Sequence, residues 1–141
     1  MRKEKGITLI ALVITIIVLL ILAGVTIAML TGDNGILTKT KQAKKNTTKG
    51  EEADKINMAL NAEYANILSD GKMSGATGST IATADEIAKT NGITTSEFTI
   101  TPGATMTDAT VLTITSKTYS DVTGKITYAD GKYTVEKAKV K

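Results

Sequence analysis

The side chains able to do chemistry in this chain are carboxylates and lysines. Glu51, Glu52 and Asp54 form an acidic triplet that has the look of a metal-ligand set, and Asp85 and Glu86 stand side by side. Lys39, Lys41, Lys44, Lys45 and Lys49 form a run that contains no acid. Histidine, cysteine and tryptophan are all absent from the 141 residues. Their absence removes a thiolate nucleophile, an imidazole base, a Cys/His zinc site, a disulfide framework and haem attachment. Catalysis would then need a carboxylate pair, and none stands out. The triplet is expected to be a solvated helix surface, because acids are rarely buried unpaired. Asp85 and Glu86 are expected as helix N-terminal charges favoured by the macrodipole, and Asp121 and Asp130 sit in turn-like segments. No catalytic residue, metal or cofactor is expected, and an enzyme is the least favoured class. The lysine run has no arginine and no interleaved aromatic, and aromatics make up only 4% of residues. Nucleic acid is thereby disfavoured as a partner, and anionic headgroups are the alternative contact.

With side-chain chemistry set aside, hydropathy carries the information. The mean hydropathy of +0.04 would suit a globular protein, but it averages two unlike parts. From Ile7 to Leu30 there are 24 residues without a charge, 16 of them Ile, Leu or Val. As a helix they extend about 36 Å, enough to cross a hydrocarbon core of about 30 Å with some tilt. Those 16 side chains favour insertion by about 5–10 kcal/mol. β-branched residues are mediocre helix formers in water, but in lipid only a helix satisfies the backbone. A secretory signal would have a shorter apolar core and an A-x-A-like site, which Val25-Thr26-Ile27-Ala28 lacks. A lipoprotein signal needs the missing cysteine. A single-span anchor remains as one reading.

The junction before the span supplies another. Met1-Arg2-Lys3-Glu4-Lys5-Gly6 is a short basic leader ending in glycine, followed directly by Ile7-Thr8-Leu9-Ile10. This segment resembles the N-terminus of type IV prepilins and the related pseudopilins, over about residues 1–30. The resemblance implies that a membrane-embedded prepilin peptidase cuts between Gly6 and Ile7 and methylates Ile7. Leader charges would hold the glycine at the cytoplasmic face, and a residue with no side chain lets the scissile backbone enter a narrow site. The fifth mature residue in the family is usually a Glu that pairs with a neighbouring subunit's N-terminal ammonium; here it is Ala11. Filament-core packing would rest instead on apolar contact and on small residues such as Ala11, Ala23 and Gly24. Lysines also follow the span, and a bare positive-inside count would hold the C-terminal part in the cytoplasm. The leader charges abut the span, however, and we give them precedence.

Beyond the span, Thr31-Gly32-Asp33-Asn34-Gly35 marks a joint at 32–35. Helical character resumes over 36–70. An apolar stripe at Ala53, Ile56, Leu60, Tyr64 and Ile67, with Ala59 and Leu68 alongside, follows amphipathic spacing. Thr48-Lys49-Gly50-Glu51 has the pattern of a capping box and predicts a weak point where a new helix could start. Gly71 to Thr80 predicts a flexible loop, and Thr83-Ala84-Asp85-Glu86 a capped short helix closed by Asn91-Gly92. The remainder predicts strands over 97–101 and 109–117, then a hairpin turning at Asp130-Gly131. That turn pairs Tyr128 with Tyr133 and Ile126 with Val135 on one face, and Thr127 with Thr134 and Lys125 with Glu136 on the other.

The expected fold is α+β. A long N-terminal helix, transmembrane in its first half and amphipathic in its second, packs on a small antiparallel sheet, which is also the pilin architecture. The sheet's apolar face is Phe98, Ile100, Leu112, Ile114, Ile126, Tyr128, Tyr133 and Val135. Threonine, at 25 positions the commonest residue, would line the other. That face (Thr99, Thr101, Thr113, Thr115, Thr127, Thr134) is a β-prone, water-tolerant surface open to O-linked sugars or adhesion. Asn46-Thr47-Thr48 matches an N-glycosylation acceptor. In parallel helices offset by about ten residues, roughly 15 Å, Lys41, Lys44 and Lys45 of one copy would face Glu51, Glu52 and Asp54 of another.

The leading expectation is thus a structural subunit of a type IV pilus-like or pseudopilus filament, in the cytoplasmic membrane as a precursor and extracellular once assembled. The partners the resemblance implies are other copies of the chain, the prepilin peptidase, and an assembly ATPase with its membrane platform. Membrane lipid is the partner before assembly. The alternatives are a single-span membrane-anchored surface domain that binds a ligand or envelope component, and a minor or tip pseudopilin, which Ala11 favours over a major subunit.

Overall fold

The computed structural model of the chain describes residues 2–76 and 81–140, with side chains from residue 6 onward. The chain divides into two compact units, Met1–Lys45 and Asn46–Lys141. The boundary falls inside a helix and not at the 32–35 joint.

The first unit is built on α1, Arg2–Thr31. Its three central and C-terminal threonines donate their hydroxyls back to the preceding turn: Thr15 to the Leu12 carbonyl at 2.8 Å, Thr26 to Leu22 at 2.6 Å and Thr31 to Ile27 at 2.9 Å. A helix whose hydroxyls are satisfied by its own backbone presents almost pure hydrocarbon. It stops at the glycines. The Gly32 amide bonds the Ala28 carbonyl at 3.0 Å, and the Gly35 amide turns back to the Gly32 carbonyl at 2.7 Å. A Cβ on Gly35 would lie 2.6 Å from the Leu30 carbonyl oxygen, so this close backbone approach admits no side chain. The Gly35 carbonyl then accepts from the Lys39 amide, and α2, Ile36–Asp70, begins.

α2 is continuous through 46–50, so the capping box expected at Thr48–Glu51 does not start a new helix. Tertiary contacts hold both sides of the weak point. Lys49 is buried with its ammonium 2.5 Å from Asp121, and one turn later Ala53 enters the core. Contacts of this kind override the poor helix propensity of Gly50.

In the second unit the sheet has the order β1-β2-β3-β4, antiparallel throughout. The strands are β1 (Phe98–Pro102), β2 (Thr110–Ser116), β3 (Thr123–Ala129) and β4 (Lys132–Glu136). The β3–β4 hairpin has the predicted register at every pair: Lys125↔Glu136, Ile126↔Val135, Thr127↔Thr134 and Tyr128↔Tyr133. Asp130 and Gly131 both have positive φ, 52° and 77°, as a type I′ turn requires. Lys125 and Glu136 close to 3.3 Å, and the two tyrosine rings lie 4.8 Å apart.

The fold is α+β, with a helix packed on an antiparallel sheet. α2 covers the sheet with Ala53, Ile56, Ala59, Leu60 and Ile67, which meet Phe98, Ile100, Leu112, Ile114 and Ile126 in one core. Gly124 permits the close approach: a Cβ there would stand 2.6 Å from Leu60 Cδ1 and 3.1 Å from Ile56 Cγ2. Two stripe residues depart from expectation. Tyr64 is half-buried, and Leu68 is 63% exposed because it stands about 100° round the helix from Ile67. Tyr128, Tyr133 and Val135 are likewise only partly buried, near the β4 edge.

The core also recruits residues outside the expected faces. Met73, Ala82, Ile87, Ala88, Ile93, Val111, Val122 and Ala138 are buried. Val111 joins Leu112 inside because the β2–β3 register shifts between Thr110 and Leu112, as a bulge allows. Ala138 is held by a reciprocal pair with Asn57, its amide donating at 2.8 Å and its carbonyl accepting at 3.1 Å. The predicted short helix is α3, Ala84–Thr90. Thr83 and Glu86 form its capping box and Asn91 closes it, followed by Gly92 at φ 64°. In the loop expected over Gly71–Thr80, Thr77 to Thr80 lie outside the described residues. The first part is anchored: Met73 is buried and Ser74 is tied to α2.

Candidate functional site

The surface without a partner of its own is α1. From Ile7 to Leu30 its large apolar side chains are exposed on every side, from 46% at Val13 to 69% at Met29. Core residues of the second unit are at most 7% exposed. So large an apolar surface belongs against lipid or against other protein chains. The helix is long and apolar enough to cross a membrane.

The junction residues lie within this helix. Gly6 is helical, and a Cβ built on it would meet nothing within 4 Å. Ile7 is 68% exposed. Ala11, Ala23 and Gly24 are exposed on α1, but the helix does not gather them into one seam. Ala23 stands about 120° round from Ala11, and Gly24 about 100° beyond that. They offer close approach on three different faces.

On α2, Lys41, Lys44 and Lys45 are exposed, whereas Lys49 leaves the basic run. Its ammonium is bound to Asp121 and lies 5.7 Å from the centre of the Tyr119 ring. The acidic triplet also divides. Glu51 and Asp54 are exposed, while Glu52 is half-buried and accepts a hydrogen bond from the Ser116 hydroxyl. Helical spacing is the reason: Glu52 lies one residue before the buried Ala53, on the flank facing the sheet. Among the described residues no group of three or more His, Cys, Asp or Glu could hold a metal ion.

Sequence reasoning missed the carboxylate with the most unusual setting. Glu63 is fully buried. It accepts from the Ser74 amide at 2.8 Å, the Ser74 hydroxyl and the Asn91 side-chain amide at 2.5 Å. Three donors on one carboxylate join α2, the loop after it and the end of α3, which is a structural arrangement. The only cue in the sequence is position: Glu63 falls one turn from Leu60 and Ile67, on the apolar stripe itself.

Two exposed carboxylates are held ionised by their own loops. The Thr83 backbone amide, then its hydroxyl, lowers the Glu86 pKa below the usual carboxylate value. The Thr105 amide and hydroxyl, with the Ala104 amide, do the same for Asp108. Both are local caps and turns of the fold. Asn46, the glycosylation candidate, sits inside α2, whereas that acceptor pattern belongs to a surface loop.

On the outer face of the sheet, threonines pair across strands: Thr99 with Thr115, Thr101 with Thr113, Thr115 with Thr123 and Thr127 with Thr134. Thr123 donates to the Thr115 hydroxyl at 3.0 Å. Part of their hydrogen-bonding capacity is therefore spent within the sheet. Comparison of the chain with protein-family models, with curated proteins and with solved structures finds no match, so any function must be read from its own residues and fold.

Proposed function

We propose that the chain is a structural subunit of a type IV pilus-like or pseudopilus filament. It is made with the leader Met1–Gly6, cut before Ile7 by a prepilin peptidase, methylated there, and assembled through α1. The observation that carries this reading is a helix exposing hydrocarbon all round, preceded directly by a short basic segment ending in glycine. Cleavage at that point keeps the whole apolar helix on the mature protein, where lipid covers it before assembly and neighbouring copies cover it afterwards. An α+β unit in which α2 lies on a four-stranded sheet is compatible with display of a compact domain outside a helical core. Without a carboxylate at position 11, packing in that core is apolar, which suits a minor or pseudopilus subunit.

The second reading, a lone membrane-anchored surface domain, is favoured by the self-contained core of residues 46–141. Electron microscopy of material sheared from the surface of producing cells, labelled with antibody to the chain, separates the two. Labelled filaments are expected; chain recovered only as monomer from the membrane fraction would favour the lone anchor.

A further inference from the structure

We infer that copies of this chain pack side by side through α2, in parallel and staggered by about ten residues, or roughly 15 Å. Lys41 and Lys44 of one copy then face Glu51 and Asp54 of the next, and Met58 faces Leu68. The inference rests on the filament reading, because a shared membrane orientation of α1 is what makes neighbouring helices parallel.

Two contacts within the chain sort the available charges. Lys49 is held by Asp121 and Glu52 by Ser116, which leaves the exposed Lys41 and Lys44 on one side and Glu51 and Asp54 on the other. Each basic residue stands ten positions before an acidic one. A separate observation has the same spacing. In the part of α2 within the second unit, the large apolar side chains exposed to solvent are Met58, at 73%, and Leu68, at 63%. They too are ten positions apart, so one offset satisfies both charge pairs and covers both apolar residues. Lys45 comes level with Lys55 at this offset, but Lys55 already lies 3.7 Å from Glu97.

The stagger dictates the kind of assembly. Two parallel helices related by a two-fold axis would be in register, so a staggered contact uses two different faces of the same helix. Such a heterologous contact leaves one face free on each end copy and propagates. Ten residues turn through about 80° less than three full turns, so the two faces are about 80° apart around α2. Neighbours on both, at helix spacings of about 8–10 Å, would themselves stand about 10–13 Å apart, and so fit together. Both faces point away from the side that carries Ala53, Ile56, Leu60 and Ile67 into the core.

Cross-linking tests this on a clean background, since the chain has no cysteine. The full chain carrying both Met58→Cys and Leu68→Cys is oxidised in the membranes and surface material of producing cells. The two sites lie about 15 Å apart within one helix, beyond the reach of a disulfide, so any bridge joins two copies. The expected result is a ladder of dimers, trimers and larger species from the double variant, with each single variant remaining monomeric. Glu51→Lys with Asp54→Lys should cut the cross-linked fraction about tenfold, as two attractive pairs become repulsive. Adding Lys41→Glu and Lys44→Glu should restore it. Dimers from either single variant would show a symmetric contact and overturn the inference. Labelled filaments with no ladder would overturn it while leaving the filament reading standing. Monomer alone, in the membrane and with Met1 intact, would overturn both.

Discussion

Replacing Glu63 by alanine would strand the amide and hydroxyl of Ser74 and the side-chain amide of Asn91, all of which it accepts from inside the core. The expected loss is about 2–4 kcal/mol of unfolding free energy, measurable by chemical denaturation; Glu63→Gln, which keeps an acceptor, should lose less. At this scale the sequence was least legible. Glu63 and Lys49 look like ordinary surface charges, and what buries them lies far along the chain: Asn91 is 28 residues from Glu63, and Asp121 is 72 from Lys49. Local partners were easier to foresee, since the Thr83–Glu86 cap is written within four residues. The same local bonds set a pH dependence. Glu86 and Asp108 have folded pKa values below their ordinary ones, so the stability they contribute is present above the unfolded carboxylate range of about 4 and is lost as pH falls through the lower folded values. The melting temperature should decline on acidification below about pH 4, and Asp108→Asn should flatten that decline.

The elements themselves followed from short-range pattern wherever pattern and turn chemistry agreed. The Asp130-Gly131 hairpin is the clearest instance, because alternation, charge pairing and the need for two positive φ angles all selected one register. The break after Thr31 was legible for a similar reason: two glycines and an Asp-Asn pair interrupt an otherwise unbroken apolar run. The continuity of α2 was not legible, since the polar stretch before Ala53 is stabilised by contacts made across the fold. Nor was Gly124, whose importance depends on α2 lying directly over β3. Gly124→Val should destabilise the sheet unit by about 1–3 kcal/mol, because its side chain has to displace Leu60 and Ile56. The corresponding change at Gly131, where a Cβ would meet nothing within 4 Å, carries only the strain of a positive φ. A comparison of the two melting curves, each against wild type, separates crowding from backbone strain.

For the whole molecule, composition conceals the organisation that matters. A near-zero mean hydropathy is the sum of a helix with an uncovered apolar surface and a compact α+β unit with a core of its own. Histidine, cysteine and tryptophan are dispensable to a chain whose work is packing. The absence of a carboxylate at position 11 shifts the burden of specific contact to other parts of the chain, and α2 carries the charges and exposed apolar residues for it. All of this depends on α1 being kept, shorn of its leader, as the assembly helix. Mass spectrometry of the N-terminus of the protein recovered from producing cells tests that claim most directly. The account predicts a chain beginning at N-methylated Ile7, and retention of the leader in Gly6→Ala, a substitution that the helix itself accommodates. A chain that keeps Met1 in surface-assembled material, or one cut within or beyond the apolar helix, would contradict it.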